Sequence, residues 1–392
     1  MHYGIADRMV PLTGSAIREI FKLLANPDII SFAGGVPNPD TFANEQIAEI
    51  AKELLLDNGK VMLQYGITEG YMPFRETAKE LLSARGIDCK LEQVIATSGA
   101  TQGIDTASKA LLNEGDAILV ESPTFLGALQ IFNSYAAKIV PVEMDEEGVI
   151  LEDVEEKMRR YSPKLFYIIP TFQNPTGRTL SLERRKKLVE LAEKYGVLIL
   201  EDDPYGELRY AGNPLPSIKS FDENDVVIHL MSCSKTVSPG LRVGAAVAAQ
   251  PVIAKMTIAK QCADTHSSNL SQAIVDLYVR RGLLKENLPR AVKSYAVQMQ
   301  AMLEALEAYF PKAAEFTRPE GGLFIWATLP EGVDGLALLR EAVTENVAFI
   351  PGTHFYDGGG HDNTLRLNFS ACDPERIKQG IKTLGAVIAR HV

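Results

Sequence analysis

The hydrophobic pattern changes its period near residue 92. Before that point, residues 44–56 carry Ile47, Ile50, Ala51, Leu54 and Leu55 at spacings of three and four, the mark of a helix with one apolar face. A second helix is expected at 72–85, after Gln64-Tyr65-Gly66. Beyond residue 92, short continuous apolar runs alternate with helical stretches, at 94–97, 117–121, 138–144, 165–170, 197–202, 226–232 and 243–248. Runs that are apolar on both faces and separated by helices predict an α/β architecture, a mainly parallel seven-stranded sheet with helices on both faces. From residue 286 the texture shifts to one long helix through Phe310, strands at 323–328, 347–351 and 364–370, and helices at 335–345 and 374–390. This reads as a smaller α+β domain. The expected division is an N-terminal arm at 1–40 packing with the small domain, a large domain at 41–285 and a small one at 286–392. The arm contains a short helical pattern at 15–24, and the triple glycine of 357–361 reads as a solvent loop because no helix follows it.

Composition narrows the partners. At 392 residues, 46% hydrophobic and 23% charged, the chain is an ordinary globular one with substantial cores. A net charge of -10, with no Lys/Arg cluster that suggests a basic face for phosphates, points away from nucleic acid. The cysteines Cys89, Cys233, Cys262 and Cys372 are scattered with no Cys-x-x-Cys spacing. Neither a disulfide framework nor a zinc or other metal site is therefore expected, and the compartment is expected to be reducing, the cytoplasm. The first ten residues lack the apolar core of a signal peptide, and no run of about 18 apolar residues predicts a membrane span.

The polar residues of interest sit at the carboxyl ends of the strands, where sheets of this kind bind ligands. After the sixth strand the chain reads Ser232-Cys233-Ser234-Lys235, then Pro239-Gly240-Leu241-Arg242. Lys235 can form a Schiff base with an aldehyde, while Ser232 and Arg242 offer a hydroxyl and a planar guanidinium fork to a phosphate. Pyridoxal phosphate (PLP) carries both groups. An isolated lysine beside a turn would mean little, so the other strand ends matter. After the first strand, Ser98-Gly99-Ala100 opens a helix, either as an anion site of free N–H groups or as a plain helix start capped by Ser98. Phe125, after the second, can stack on a flat heterocycle or fill the core. Asn174, in Asn174-Pro175-Thr176-Gly177, can donate to a phenolate oxygen or a substrate carboxylate, or serve only its turn. Asp202 ends a buried strand and needs a cation, which a protonated pyridine nitrogen would be. Tyr205 lies three residues on, within reach of a ring hydroxyl. Arg366, inside an apolar strand, needs a carboxylate, from the substrate or from a structural Asp or Glu.

As an ordered set, S-G-A-x-Q, N-P-T-G, D-x-x-Y, S-x-S-K-x-x-x-P-G-L-R-x-G and L-R-L-N-F-S resemble the fold-type I PLP-dependent aminotransferases of class I/II, over nearly the whole chain. The resemblance implies that Lys235 is the Schiff-base lysine and proton shuttle and that Asp202 pairs with the pyridine nitrogen. Tyr205 and Asn174 would hold the ring hydroxyl, and Gly99, Ala100, Ser232 and Arg242 the phosphate, with Ser98 and Ser234 in the same cofactor site. Phe125 would stack on the ring where the family usually has Tyr or Trp. Arg366 and Asn174 would grip the substrate's α-carboxylate. Tyr65 stands where the family has a tyrosine that reaches the partner subunit's phosphate, which implies a homodimer with shared sites. Ser15-x-Ile17-Arg18-Glu19-Ile20 and Ser31-Phe32-Ala33-Gly34-Gly35-Val36-Pro37 are similar to a narrower branch, the 2-aminoadipate, kynurenine and broad-specificity aminotransferases. That similarity places Gly35 at the substrate and an N-terminal helix over the site, with Arg18 either meeting a distal acid group or remaining a solvated charge. The implied reaction is ping-pong transfer of an amino group from a 2-aminoadipate, aromatic or branched-chain donor to a keto acid, 2-oxoglutarate first. Two alternatives use the same fold: a carbon–sulfur β-lyase, and a PLP-binding regulator without turnover. With only 17 residues before Arg18, the DNA-binding domain that such regulators carry is not expected here.

Overall fold

The apolar runs after residue 92 assemble into one seven-stranded sheet in the computed structural model, which describes residues 3–10, 12 and 28–392. In chain order, β1 (Ile30–Ser31) precedes helices α1 (Asn44–Met62) and α2 (Met72–Ser83). Then come β2 (Val94–Thr97), α3 (Ala100–Leu111), β3 (Ala117–Glu121), α4 (Leu126–Ser134) and β4 (Lys138–Val142). A small hairpin of β5 (Met144–Asp145) and β6 (Gly148–Val149) leads to α5 (Leu151–Tyr161), β7 (Leu165–Ile168), α6 (Leu182–Tyr195), β8 (Leu198–Asp203), β9 (Val227–Ser232) and β10 (Gly244–Val247). The sheet order is β2-β10-β9-β8-β7-β3-β4. Only β10 runs against its neighbours. The carboxyl ends of β2, β3, β7, β8 and β9 therefore share one edge, and β3 meets β7 where the winding direction reverses.

Alternate strand residues serve different cores. Ile118, Val120, Tyr167 and Leu200 pack with Ile104 of α3 and Phe132 of α4. Their neighbours Leu119, Phe166, Ile168 and Ile199 pack with Val154 of α5 and Leu188 of α6 on the opposite face. Two apolar faces per strand explain why these segments read as continuous runs rather than alternating ones.

The chain continues through α7 (Gln250–Asp264), α8 (Asn269–Arg280) and the long α9 (Leu283–Tyr309). It then forms β11 (Glu315–Phe316), β12 (Phe324–Thr328), α10 (Gly335–Thr344), β13 (Val347–Ala348), β14 (Ile350–Pro351), β15 (Thr364–Asn368) and α11 (Pro374–Ile388). Four of these strands make an antiparallel sheet, β11-β12-β15-β14. β1 pairs in parallel with β13, Ile30 opposite Val347, so the start of the described arm is hydrogen-bonded to the far end of the chain.

Several expected boundaries move, each for a local reason. The run 138–144 stops at Val142, because Met144 and Asp145 turn into the hairpin through Gly148, whose φ of 99° suits glycine. The run 347–351 splits in two, β13 bonding to β1 and β14 to β15. The helix expected at 44–56 continues to Met62 through a kink at Asn58. Short 3-10 turns, Ile218–Phe221 and Pro239–Leu241, stand between β8, β9 and β10 where a helical connection would be usual. The helical pattern at 15–24, with Arg18, lies outside the described residues. Among the described residues, no helix is long and apolar enough to cross a membrane.

Candidate active site

A cleft of about 220 Å³ opens at the shared carboxyl edge of the sheet, and β15 closes its other side through Arg366. Lys235 reaches it three residues after β9 ends. Its Nζ donates to the Gly35 carbonyl at 2.6 Å, so the arm meets the lysine directly. Burial, then the positive charges of Arg366 and Arg242, push its pKa down to about 8. Near neutral pH a useful share of this amine is already the free base.

Arg366 is 1% exposed in the middle of β15. Its guanidinium donates to Asn174 Oδ1 at 3.0 Å and to the Ala33 carbonyl at 2.6 Å, and lies over the rings of Phe324 and Phe355. Nε is buried with no hydrogen-bond partner, and no Asp or Glu pairs with this arginine among the described residues. The structural-acid reading of Arg366 is thus not met. Burial lowers its pKa to about 10. A buried cation without an acid is costly, and it marks a place prepared for a carboxylate from outside.

Three consecutive acids end β8, and strand alternation sends them to different faces. Glu201 accepts from the backbone N–H of Ile218 and Lys219, at 2.7 and 3.0 Å, and lies 2.8 Å from His229 Nδ1. Asp203 pairs with Arg85. Asp202 faces the cleft instead. Its Oδ2 accepts from the Tyr167 hydroxyl at 2.8 Å, and its Oδ1 is buried without a partner among the described residues. Burial raises its pKa to about 7, the Tyr167 hydrogen bond opposing that rise. Beside it, the Tyr205 hydroxyl accepts from Asn174 Nδ2 at 3.5 Å, and burial raises the phenol's pKa. Phe125, the N-cap residue of α4, presents its ring to the same cleft.

The other end of the cleft is built for an anion. Gly99, at φ 77°, is the N-cap of α3, and a Cβ there would lie 2.6 Å from Arg242 Nη2. Ala100 and Thr101 expose the start of that helix to the cleft. Arg242, itself left-handed at φ 54°, donates to the Ser98 carbonyl at 2.9 Å and to Ser234 Oγ at 3.4 Å, while the Ser234 N–H meets Ser232 Oγ at 3.2 Å. Helix N–H groups, a guanidinium and two hydroxyls converge there.

Some expected site residues stand elsewhere. The Ser98 side chain neither caps α3 nor borders the cleft; its hydroxyl lies 3.1 Å from Ser267 Oγ and 3.5 Å from Asp264 Oδ2. Tyr65 is 79% exposed, with its ring edge on His266, and is likewise outside the cleft. Arg18 is not among the described residues. Thr101, Ile169 and Pro204 border the cleft without having been singled out, although each adjoins a recognised motif or strand end. Tyr167 was missed too, and its signal was a lone hydroxyl in an apolar strand.

These residues fit PLP: a bare buried carboxylate oxygen for a ring N–H, an anion cradle for the phosphate and a lysine whose lowered pKa eases loss of its proton toward the aldehyde. Known proteins agree with this reading. The chain is 42% identical to aromatic-amino-acid aminotransferase 1 of Thermococcus litoralis, over 99% of this chain and 94% of that protein. It is 41% identical to the 2-aminoadipate transaminase of Thermus thermophilus, over 96% and 94%. The crystal structure of the Pyrococcus horikoshii kynurenine aminotransferase, in complex with PMP, superposes with a TM-score of 0.95 at 41% identity, covering 99% of this chain and 98% of that one. Matching the family described as "Aminotransferase class I and II" across residues 27–384, the chain belongs to that family and is a PLP-dependent aminotransferase.

Proposed function

We propose that this aminotransferase takes the amino group of an aromatic, branched-chain or 2-aminoadipate-type amino acid and passes it to a keto acid, 2-oxoglutarate first, in a ping-pong cycle. The observation that carries the reading is Arg366, a buried guanidinium with two aromatic walls and, among the described residues, a bare Nε and no acid partner. Its fork, with the Asn174 amide, receives the α-carboxylate common to every amino and keto acid. Bound in the cleft, PLP supplies an aldehyde to capture the substrate amine and a ring that accepts electrons from the substrate carbon. Lys235 would anchor the cofactor through its aldehyde and, as a free amine, would move the substrate's α-proton. Asp202 holds a proton at the ring nitrogen. Tyr205 and Asn174 hold the ring hydroxyl, Phe125 covers one ring face, and Arg242 with Ser232, Ser234 and the start of α3 holds the phosphate.

Lys235, Arg242 and Arg366 are then each committed, so a distal substrate carboxylate falls to Arg18 in this reading. Relatives named for aromatic and for 2-aminoadipate substrates support a pocket that accepts both kinds of side chain. The enzyme acts as a homodimer in which Tyr65 reaches the partner's phosphate; the exposed Leu56, Leu63, Tyr65 and Ile67, 52 to 79% accessible, support such a surface. Boundaries near residues 40 and 285 separate an arm and two domains around the cleft. Four free thiols accord with the cytoplasm.

A screen of single amino acids without keto acid tests the substrate reading. Leucine, phenylalanine, kynurenine and 2-aminoadipate are each expected to bleach the visible absorption of the holoenzyme, and 2-oxoglutarate to restore it. Release of pyruvate and ammonia from a cysteine conjugate, with no bleaching by these donors, would overturn transamination in favour of a lyase.

A further inference from the structure

Tyr167 touches none of the groups to which a role has been assigned except one. It sits in β7 at 0% exposure, the single hydroxyl of a strand otherwise made of Leu165, Phe166 and Ile168. We propose that Tyr167 is a positioning residue for transamination: it holds one oxygen of Asp202 so that the other is aimed, unpaired, at the ring nitrogen of PLP, and thereby sets how firmly that nitrogen stays protonated. The inference rests on the Asp202 reading above.

The geometry supports it on three counts. The hydroxyl donates to Asp202 Oδ2 at 2.8 Å, and both groups are buried. The tyrosine ring also meets Phe132 of α4 edge-on at 5.5 Å, a packing contact separate from the hydrogen bond. Asp202 lines the cleft, and its Oδ1 is buried with no partner among the described residues. A tyrosine needing only an acceptor could use a backbone carbonyl; here its single donor goes to a buried carboxylate whose other oxygen is left unsatisfied among the described residues, and that bare oxygen is costly in the empty protein. The titratable groups facing Asp202 are Tyr167 from β7, Glu121 from β3, His229 from β9, and Asp203 with Tyr205 from its own segment; Asp203 is held by Arg85. Of these, Tyr167 alone hydrogen-bonds to the Asp202 carboxyl among the described residues.

A donor to the charged form of a carboxylate stabilises that form. Without it, the carboxylate becomes the stronger base, the proton shared with the ring nitrogen moves toward Asp202, and the ring withdraws electrons less well. Tyr167→Phe keeps the volume and removes only the hydroxyl. The expected result is a kcat about tenfold lower in the amino-acid half-reaction, with KM changed less than about twofold. The pH midpoint of the bound cofactor's absorption should shift, and PLP should be lost faster from the holoenzyme on gel filtration. Phe132→Leu, which loosens the ring's packing but keeps the hydroxyl, should lower Tm and leave the pH midpoint in place. In an Asp202→Asn background, Tyr167→Phe should add nothing further. Unchanged kcat, pH midpoint and PLP retention in Tyr167→Phe, alongside a clear effect of Asp202→Asn, would overturn this inference alone. If Asp202→Asn were itself without effect, the Asp202 reading would fall together with it. A Phe132→Leu variant that reproduced the pH shift would reduce Tyr167 to a packing residue.

Discussion

At Asp202 the chemistry of the site and the stability of the chain pull in opposite directions. Burial raises its pKa in the fold to about 7, from an ordinary 3.8. Between those values the cofactor-free folded protein binds more protons than the unfolded chain, so stability falls as pH rises through the window and stays low above about 7. Asp202→Asn should therefore be more stable than the parent when both lack PLP at pH 8, by up to about 4 kcal/mol, and should melt at a higher temperature. The gain should fade toward pH 4, and thermal melts at several pH values check it. Equal melting at pH 8 would mean that the carboxylate is well compensated. Asp202 was legible because a carboxylate ending an apolar strand has few explanations. Its unequal partners among the described residues, Tyr167 on one oxygen and nothing on the other, were not, because a contact across parallel strands leaves no trace in local spacing.

At the scale of elements, the start of α3 shows how closely backbone and side chain are fitted. Gly99 combines a φ of 77° with a Cβ position 2.6 Å from Arg242 Nη2. Gly99→Ala should both strain the turn and push the guanidinium off the anion cradle, weakening PLP retention about tenfold while the fold survives. Equilibrium dialysis of the variant measures this, and parental retention would show that Arg242 simply swings aside. The seven strands were legible because residues packed on both faces must be apolar, and their ends located the cleft. The reversed direction of β10 was less so: a four-residue strand of Gly, Ala and Val after a tight Pro-Gly turn looks the same either way, and only its pairing with β2 and β9 settles it. The split of 347–351 likewise depends on β1, more than 300 residues earlier in the chain.

The whole molecule joins distant segments at one point. Arg366 is bonded to Ala33 of the arm and to Asn174 of the strand-end turn, so with its own strand it joins three separate stretches of chain. Its need for a partner was readable in the sequence; that no acid among the described residues would meet the need was not. That unmet need links occupancy to lifetime. A protein that buries a charge it cannot neutralise is at its weakest when empty, and any carboxylate filling the gap stabilises it by mass action, by about 2.7 kcal/mol at a hundred times Kd. Arg366→Met should then raise the Tm of the ligand-free protein while abolishing transamination, and should remove the Tm increase that an unreactive carboxylate such as 4-methylvalerate gives the parent. A parent whose Tm ignored that carboxylate would refute the link. If it holds, starvation for amino and keto acids would by itself leave this enzyme the easier target for proteolysis, and abundance would follow substrate supply with no dedicated regulator.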